Sequence, residues 1–242
     1  VDAPTLGLTV LACDEEANLP HLFDSLPEGA FDQVALLDTG SADRTVAVFE
    51  EWAGAQSLSL GYRVGTFTWA DDFAAARGAA DALLETDWLS WADADNIISG
   101  AERLRTIAQC ARPEIAALEF SYEYYPGTPY VRIEPRLVRR GRGHWEGRLH
   151  ERLIVDGEVD SRPEDWAMWI HRGRPPSDGG ERNLRIARRW VAEEPDNERA
   201  VATLAREEGF RSAALGAVGC VNNANAPAAL GTPRGRQQEV KS

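Results

Sequence analysis

Trp88-Leu89-Ser90-Trp91-Ala92-Asp93-Ala94-Asp95 is the stretch on which the fold turns. A mostly apolar run ends abruptly in two aspartates two positions apart. If the backbone stays extended, side chains at i and i+2 point the same way, so both carboxylates project together from the end of a buried strand. Such a pair suits a hard divalent cation, which prefers carboxylate oxygens and shares phosphate ligands. Asp-x-Asp pairs also occur in ordinary acidic turns, so the neighbouring segments decide between the two readings.

Working outward, Leu6 to Ala12 reads as a short buried strand followed by the polar break Cys13-Asp14-Glu15-Glu16. Asn18 can cap a helix in which Leu19, Leu22, Phe23 and Leu26 recur at helical spacing. Gln33 to Leu37 forms a second strand ending in Asp38-Thr39-Gly40-Ser41-Ala42-Asp43, and Val46, Val48, Phe49 and Trp52 mark the next helix. Arg63 to Phe67 fits a third strand. Asp71 or Asp72 then caps a helix carrying Phe73, Ala76, Ala80, Leu83 and Leu84. Strands alternating with helices predict an α/β fold with a doubly wound, mostly parallel sheet. In such sheets ligands bind beyond the carboxyl ends of the strands. Asp14, Asp38, Ser41, Asp93 and Asp95 all fall there.

Further along, a helix at about 100–111 precedes strands at Ile115 to Tyr125 and Tyr130 to Arg139, read as an antiparallel pair. Trp166 to Ile170 is another buried strand, ending at His171. Two amphipathic helices joined by Pro195-Asp196-Asn197 predict an antiparallel helix pair. The expected division is an α/β domain over 1–175, with halves 1–112 and 113–175, then a helical hairpin over 176–220. A tail over 221–242 is expected to be extended or poorly ordered.

The chain of 242 residues carries a net charge of −13 that is unevenly spread. Residues 1–127 hold 22 acidic and 6 basic residues, whereas residues 128–242 hold 17 and 20. The second part is therefore the expected anion-facing one. No apolar run approaches the ~20 residues needed to span a bilayer, so no membrane insertion is expected. Val1-Asp2-Ala3-Pro4 lacks the basic and apolar regions of a signal peptide. Cys13, Cys110 and Cys220 show neither metal-ligand spacing nor a disulfide framework, and a cytoplasmic location is the simple expectation.

Taken in order, these segments resemble family 2 glycosyltransferases, the inverting class with the GT-A fold. The carrying stretches are Leu8 to Leu19, Leu36 to Thr45, Trp69 to Arg77, Asp87 to Asp95, Pro135 to Arg140, Trp145 to Glu151, His171 to Gly173, and Arg182 to Leu184. The likeness is greatest to the branch with a His-Glu segment and a short tetratricopeptide-like helical tail. It implies transfer of a sugar from a nucleotide-sugar donor, with a UDP-sugar expected, to an acceptor hydroxyl. It also implies dependence on Mn²⁺ or Mg²⁺.

The resemblance assigns roles. Asp14, Glu15, Asp38, Ser41, Asp72, Arg77 and Asp93 fall in donor-binding positions. Asp95 and His171 match metal ligands, and neutral imidazole suits Mn²⁺. Glu151 is the candidate base, with His150 beside it, since inversion needs one in-line displacement and a group that takes the acceptor proton. Trp145 could stack on a sugar. Arg139, Arg140 and Arg142 could face an anionic acceptor such as hydroxymethylated DNA; a peptide, protein or envelope glycan fits equally.

Other readings compete residue by residue. Asp38-x-x-Ser41-x-Asp43 would also make an Asx turn, His150-Glu151 a loop-fixing ion pair, and Trp145 plain packing. The chain departs from the family pattern at Cys13, Asp14, Gly78 and Asn96, which keeps a non-catalytic nucleotide-sugar-binding protein as the alternative. A nucleotidyltransferase would need a Gly-rich phosphate loop near the N-terminus, and Val10 to Leu19 has none.

Overall fold

The computed structural model describes residues 3–128, 131–162, 167–173 and 179–224, the last of these with side chains to residue 211. The first half alternates as expected: β1 (Leu6–Ala12), α1 (Leu19–Asp24), β2 (Gln33–Asp38), α2 (Thr45–Gly54), β3 (Tyr62–Thr66), α3 (Phe73–Asp81) and β4 (Trp88–Asp93). There follow β5 (Asn96–Ser99), α4 (Leu104–Cys110), β6 (Ile115–Glu123), β7 (Val131–Arg139), β8 (Gly143–Glu146), β9 (Arg152–Val155), β10 (Glu158–Ser161) and β11 (Met168–His171). Two helices, α5 (Gly179–Glu193) and α6 (Glu198–Ala224), complete the described elements.

The main sheet has the order β3-β2-β1-β4-β7-β6-β11-β5, with β10 beside β6. β3, β2, β1 and β4 are parallel, as the alternating pattern requires, and β7 runs antiparallel to both β4 and β6. Period-two alternation sorts each central strand between two cores. Leu6, Leu8, Val10 and Ala12 of β1 join Val34, Leu36, Trp88 and Ala92 against α1, α2 and α4. Leu89 and Trp91 face the other way, toward Leu83, Leu84, Trp145 and Leu153, while Leu37 packs on Ala76 and Ala80 of α3. Helices on both faces make the sheet doubly wound.

Several local signals act differently from the simple expectation. Asn18 occupies the N-cap position of α1 but makes no capping bond, its amide going to Glu15 Oε2 instead (2.6 Å). Asp72, not Asp71, caps α3, accepting from the Ala75 N–H at 2.9 Å. The short strands β5, β8, β9 and β10 fall outside the strands read from the sequence; at four residues each they carry too little periodicity to register.

α5 and α6 pack antiparallel, since Glu181 pairs with Arg211 and Arg188 with Glu208. Leu184 and Trp190 are buried on α5, whereas Val201 of α6 stays exposed. α6 continues to Ala224, past the expected start of the tail; the rest of that tail, 225–242, lies outside the described residues, as does Trp166. Among the described residues no helix is long and apolar enough to cross a membrane.

Candidate active site

The carboxyl ends of the parallel strands are level: Ala12 lies opposite Asp38, and Leu11 opposite Asp93. The same-side premise for Asp93 and Asp95 does not hold, because β4 ends at Asp93 and Ala94-Asp95 form the turn into β5. The fully buried Asn96 fixes this turn, accepting from the Asp93 N–H at 3.2 Å and donating to Asp95 Oδ1 at 3.3 Å. The two carboxylates therefore meet different partners while lining one cavity.

Asp93 turns toward α3 and meets the buried Arg77. The same guanidinium donates through Nε to Glu151 Oε1 at 3.1 Å, while its Nη1 is buried without a hydrogen-bond partner among the described residues. Burial opposes charge on both sides, yet the two carboxylates raise the Arg77 pKa above the ordinary arginine value. Burial likewise pushes Asp93 up, but Arg77, with Arg136 and His171, holds it below the usual carboxylate range. One cation thus ties the end of β4 to the loop bearing Glu151. The loop is anchored again where the Phe73 N–H donates to the Arg148 carbonyl (2.9 Å).

Asp95 meets His171 instead. β11 pairs antiparallel with β5, with His171 opposite Asn96, so the imidazole Nδ1 lies 3.2 Å from Asp95 Oδ1. The nearby carboxylate raises the imidazole pKa against the opposing effect of burial, while the buried Nδ1 has no well-aimed hydrogen-bond partner among the described residues. Tyr124 stacks on the ring at 5.2 Å. The cradle beside the pair depends on Gly173, where a Cβ would stand 2.3 Å from Asp95 Oδ2 and 2.6 Å from His171 Nε2. One carboxylate and one imidazole, side by side and incompletely satisfied, fit a divalent cation whose remaining ligands come from phosphate or water. Among the described residues no group of three His, Cys, Asp or Glu side chains could hold a metal unaided.

A cavity of about 410 Å³ opens in front of these groups, lined among others by Cys13, Glu15, Asp93, Asp95, Arg182 and Arg185. Burial raises the Glu15 pKa, with Asp95 and Asp93 adding to the effect. A second cavity of about 280 Å³ adjoins Arg77, Asp93 and Glu151, walled by Tyr122, Tyr124, Trp91 and Arg136. Arg136, which the sequence offers only as one of a run of arginines over 132–152, belongs to this wall. It is buried against the rings of Tyr122, Trp91 and Trp169 at 4.4 to 5.8 Å, with Nη2 on Glu134. An arginine directly before the apolar pair Leu137-Val138 was the available signal.

Other predicted donor residues serve the loops. Asp38 accepts from the Gly40 and Ser41 N–H groups, which is the Asx turn. Ser41 Oγ accepts from the Asp14 N–H (2.9 Å), and Asp14 Oδ1 accepts from the Ala42 N–H (2.7 Å), stitching two strand-end loops together. Asp14 does so from the left-handed region, at φ 55°. Neither Asp14, Asp38 nor Ser41 is among the lining of the larger cavity.

Three expectations meet a different geometry. His150, at φ 54°, sends its imidazole to Glu207 of α6 at 2.8 Å, docking the helix pair and leaving Glu151 alone with Arg77. Trp145 packs edge-on against Trp91 and donates to Asp81 at 2.7 Å, so its indole edge is committed. Arg139, Arg140 and Arg142 do not approach the site. Arg139 lies opposite Trp88, the first residue of β4, at the other end of the strand from Asp93. Their Nε groups donate to the carbonyls of Ile115, Thr86 and Asp156.

The burial of Asp81 beneath Trp145 has a measurable consequence. Burial raises the Asp81 pKa to about 6, against the opposing hydrogen bond from Trp145 and the charge of Arg77. The native state then binds this proton more tightly than the unfolded chain, so the group's contribution to stability is full below its unfolded value and is lost as pH rises to about 6. Asp81→Asn should match the native protein near pH 4 and exceed it at pH 7.5 by on the order of 1–3 kcal/mol. Urea unfolding of both proteins at those pH values checks this; a difference independent of pH would refute it.

The pattern that defines Glycosyl transferase family 2 matches residues 8–155. A TPR repeat-containing protein of Synechococcus elongatus is 36% identical over 168 residues, covering 68% of this chain and 38% of that protein. The SPbeta prophage-derived glycosyltransferase SunS of Bacillus subtilis is 24% identical over 223 residues, covering 85% and 50%. The chain thus spans half or less of the length of either relative. Among solved structures, the mannosyltransferase PcManGT from Pyrobaculum calidifontis, in complex with GDP-Man and Mn²⁺, superposes with a TM-score of 0.55 at 16% identity, covering 93% of this chain and 81% of that one. At that identity the likeness is one of fold, and the fold is GT-A. With the family pattern spanning the strand-end loops, Arg77, the Asp93-x-Asp95 turn and Glu151, the chain belongs to glycosyl transferase family 2.

Proposed function

We propose that this chain is the catalytic part of a metal-dependent, inverting glycosyltransferase that moves a sugar from a nucleoside diphosphate donor to an acceptor hydroxyl. The observation that carries the reading is the Arg77 bridge, which holds Asp93 and Glu151 together beside the Asp95 and His171 pair. The donor diphosphate fits the larger cavity, against Asp95 and His171, and the acceptor fits the smaller one, against Glu151. A divalent cation held by Asp95 and His171 would act as a Lewis acid on the departing diphosphate.

Glu151 takes the proton of the attacking hydroxyl. Its carboxylate needs a fixed direction for this, and the Arg77 Nε–H supplies it while leaving Oε2 for the acceptor. Arg77 engages the two carboxylates through Nε and Nη2, so it acts as a positioning residue. α5 and α6 form the helical appendage to this catalytic part; the TPR naming of one relative supports a tetratricopeptide-like origin for it.

The test is donor turnover by the purified chain with UDP- and GDP-linked sugars, with Mn²⁺ and with chelator. Slow metal-dependent release of free sugar, water standing in for the acceptor, is expected. A chain that binds the nucleotide sugar but never turns it over, with water or with hydroxylated acceptors, would support the non-catalytic alternative instead.

A further inference from the structure

Accepting the nucleotide-sugar reading, we infer that Arg182, on the helical appendage, is a phosphate ligand that completes the donor site from outside the catalytic domain. Asp71, in the loop before α3, sits in the left-handed region at φ 56° and accepts from Arg185 at 2.9 and 3.3 Å, with Arg189 at 3.9 Å. Arg189 also donates to the Ala70 carbonyl (3.2 Å). These contacts fasten α5 at the rim of the larger cavity and occupy both arginines. Arg182, one turn earlier on the same face, is spared. It lies over the Phe73 ring at 5.4 Å and lines the cavity together with Glu15, Asp93 and Asp95. Its hydrogen bonds among the described residues are two long ones, 3.4 Å each, to the adjacent Asn183 side chain, and no carboxylate there pairs with it.

Helix stability does not explain this placement. Arg182 lies in the first turn of α5, where the macrodipole disfavours a cation. Charge balance in the cavity does explain it. Asp93 is neutralised by Arg77, but Glu15 and Asp95 remain beside the space a diphosphate would fill, within a half of the chain holding 22 acidic and 6 basic residues. A divalent ion alone leaves that assembly strongly negative. A guanidinium facing the same space offers planar, charge-assisted donors to phosphate oxygens.

Calorimetric titration of UDP, GDP and uridine, with Mn²⁺ present, into the native chain, Arg182→Ala and Arg182→Lys tests the assignment. Arg182→Ala should bind the preferred nucleoside diphosphate about tenfold or more weakly, uridine equally well, and Arg182→Lys should recover part of the loss. Equal diphosphate affinity in Arg182→Ala, or an equal loss for uridine, overturns the assignment while leaving the nucleotide-sugar reading intact. A native chain that binds neither UDP nor GDP overturns both.

Discussion

Replacing Glu151 with glutamine should slow sugar transfer by about 10²–10⁴-fold while donor affinity stays close to that of the native protein. Glutamine keeps the size of the side chain, and its amide oxygen can still accept from the Arg77 Nε–H that now meets Glu151 at 3.1 Å. The loop geometry should therefore persist, and Arg77 keeps its contact with Asp93. What disappears is a group able to take a proton. Steady-state transfer rates combined with a donor titration separate the two effects. A normal rate in Glu151→Gln would move the base elsewhere, to Glu146 or Asp165. Glu146 is already engaged by His144 and Arg152, and Asp165 lies outside the described residues.

Asp95→Ala should abolish Mn²⁺-dependent turnover of the donor and strongly weaken Mn²⁺ binding while the protein stays folded. Asp95 contributes to the local fold mainly through its backbone carbonyl, which accepts from the Arg172 N–H at 2.8 Å and survives the change. The carboxylate is the part facing His171 and the cavity. Asp93→Ala is a poorer test, because it strips the buried Arg77 of one of its two carboxylates. Leaving the buried guanidinium short of a counter-charge destabilises the fold, so lost activity there would confound folding with chemistry. Unchanged turnover and unchanged Mn²⁺ binding in Asp95→Ala, with an unaltered unfolding midpoint, would remove this residue from the metal site.

Much of the architecture was legible because it rests on local periodicity. Apolar runs at Leu6 to Ala12, Gln33 to Leu37 and Trp88 to Ala92 are strands buried on both faces, and their alternation with amphipathic segments admits few arrangements other than a parallel, doubly wound sheet. Once those strands are level, the polar residues that end them must gather at one edge. The strand-end reading gathers Asp14, Asp38, Ser41, Asp93 and Asp95 at that edge, and of these Asp93 and Asp95 line the larger cavity.

Contacts over long separations were decided only in three dimensions. The pairing of β11 with β5 brings His171 beside Asp95, and nothing local in either segment encodes that register. Arg77 stands at a donor-binding position in the sequence, and only the fold shows that its charge meets Asp93 and Glu151, the latter 74 positions away. His150 and Glu151 are adjacent in the chain, yet a left-handed backbone at His150 sends one side chain to α6 and leaves the other at the site. Arg139, Arg140 and Arg142 share a basic stretch with the catalytic loop, but β7 runs antiparallel to β4 and delivers them to the far end of the sheet. Strand positions follow from side-chain spacing; which side chains meet follows from strand order and direction, which a sequence expresses only through the packing of the whole chain.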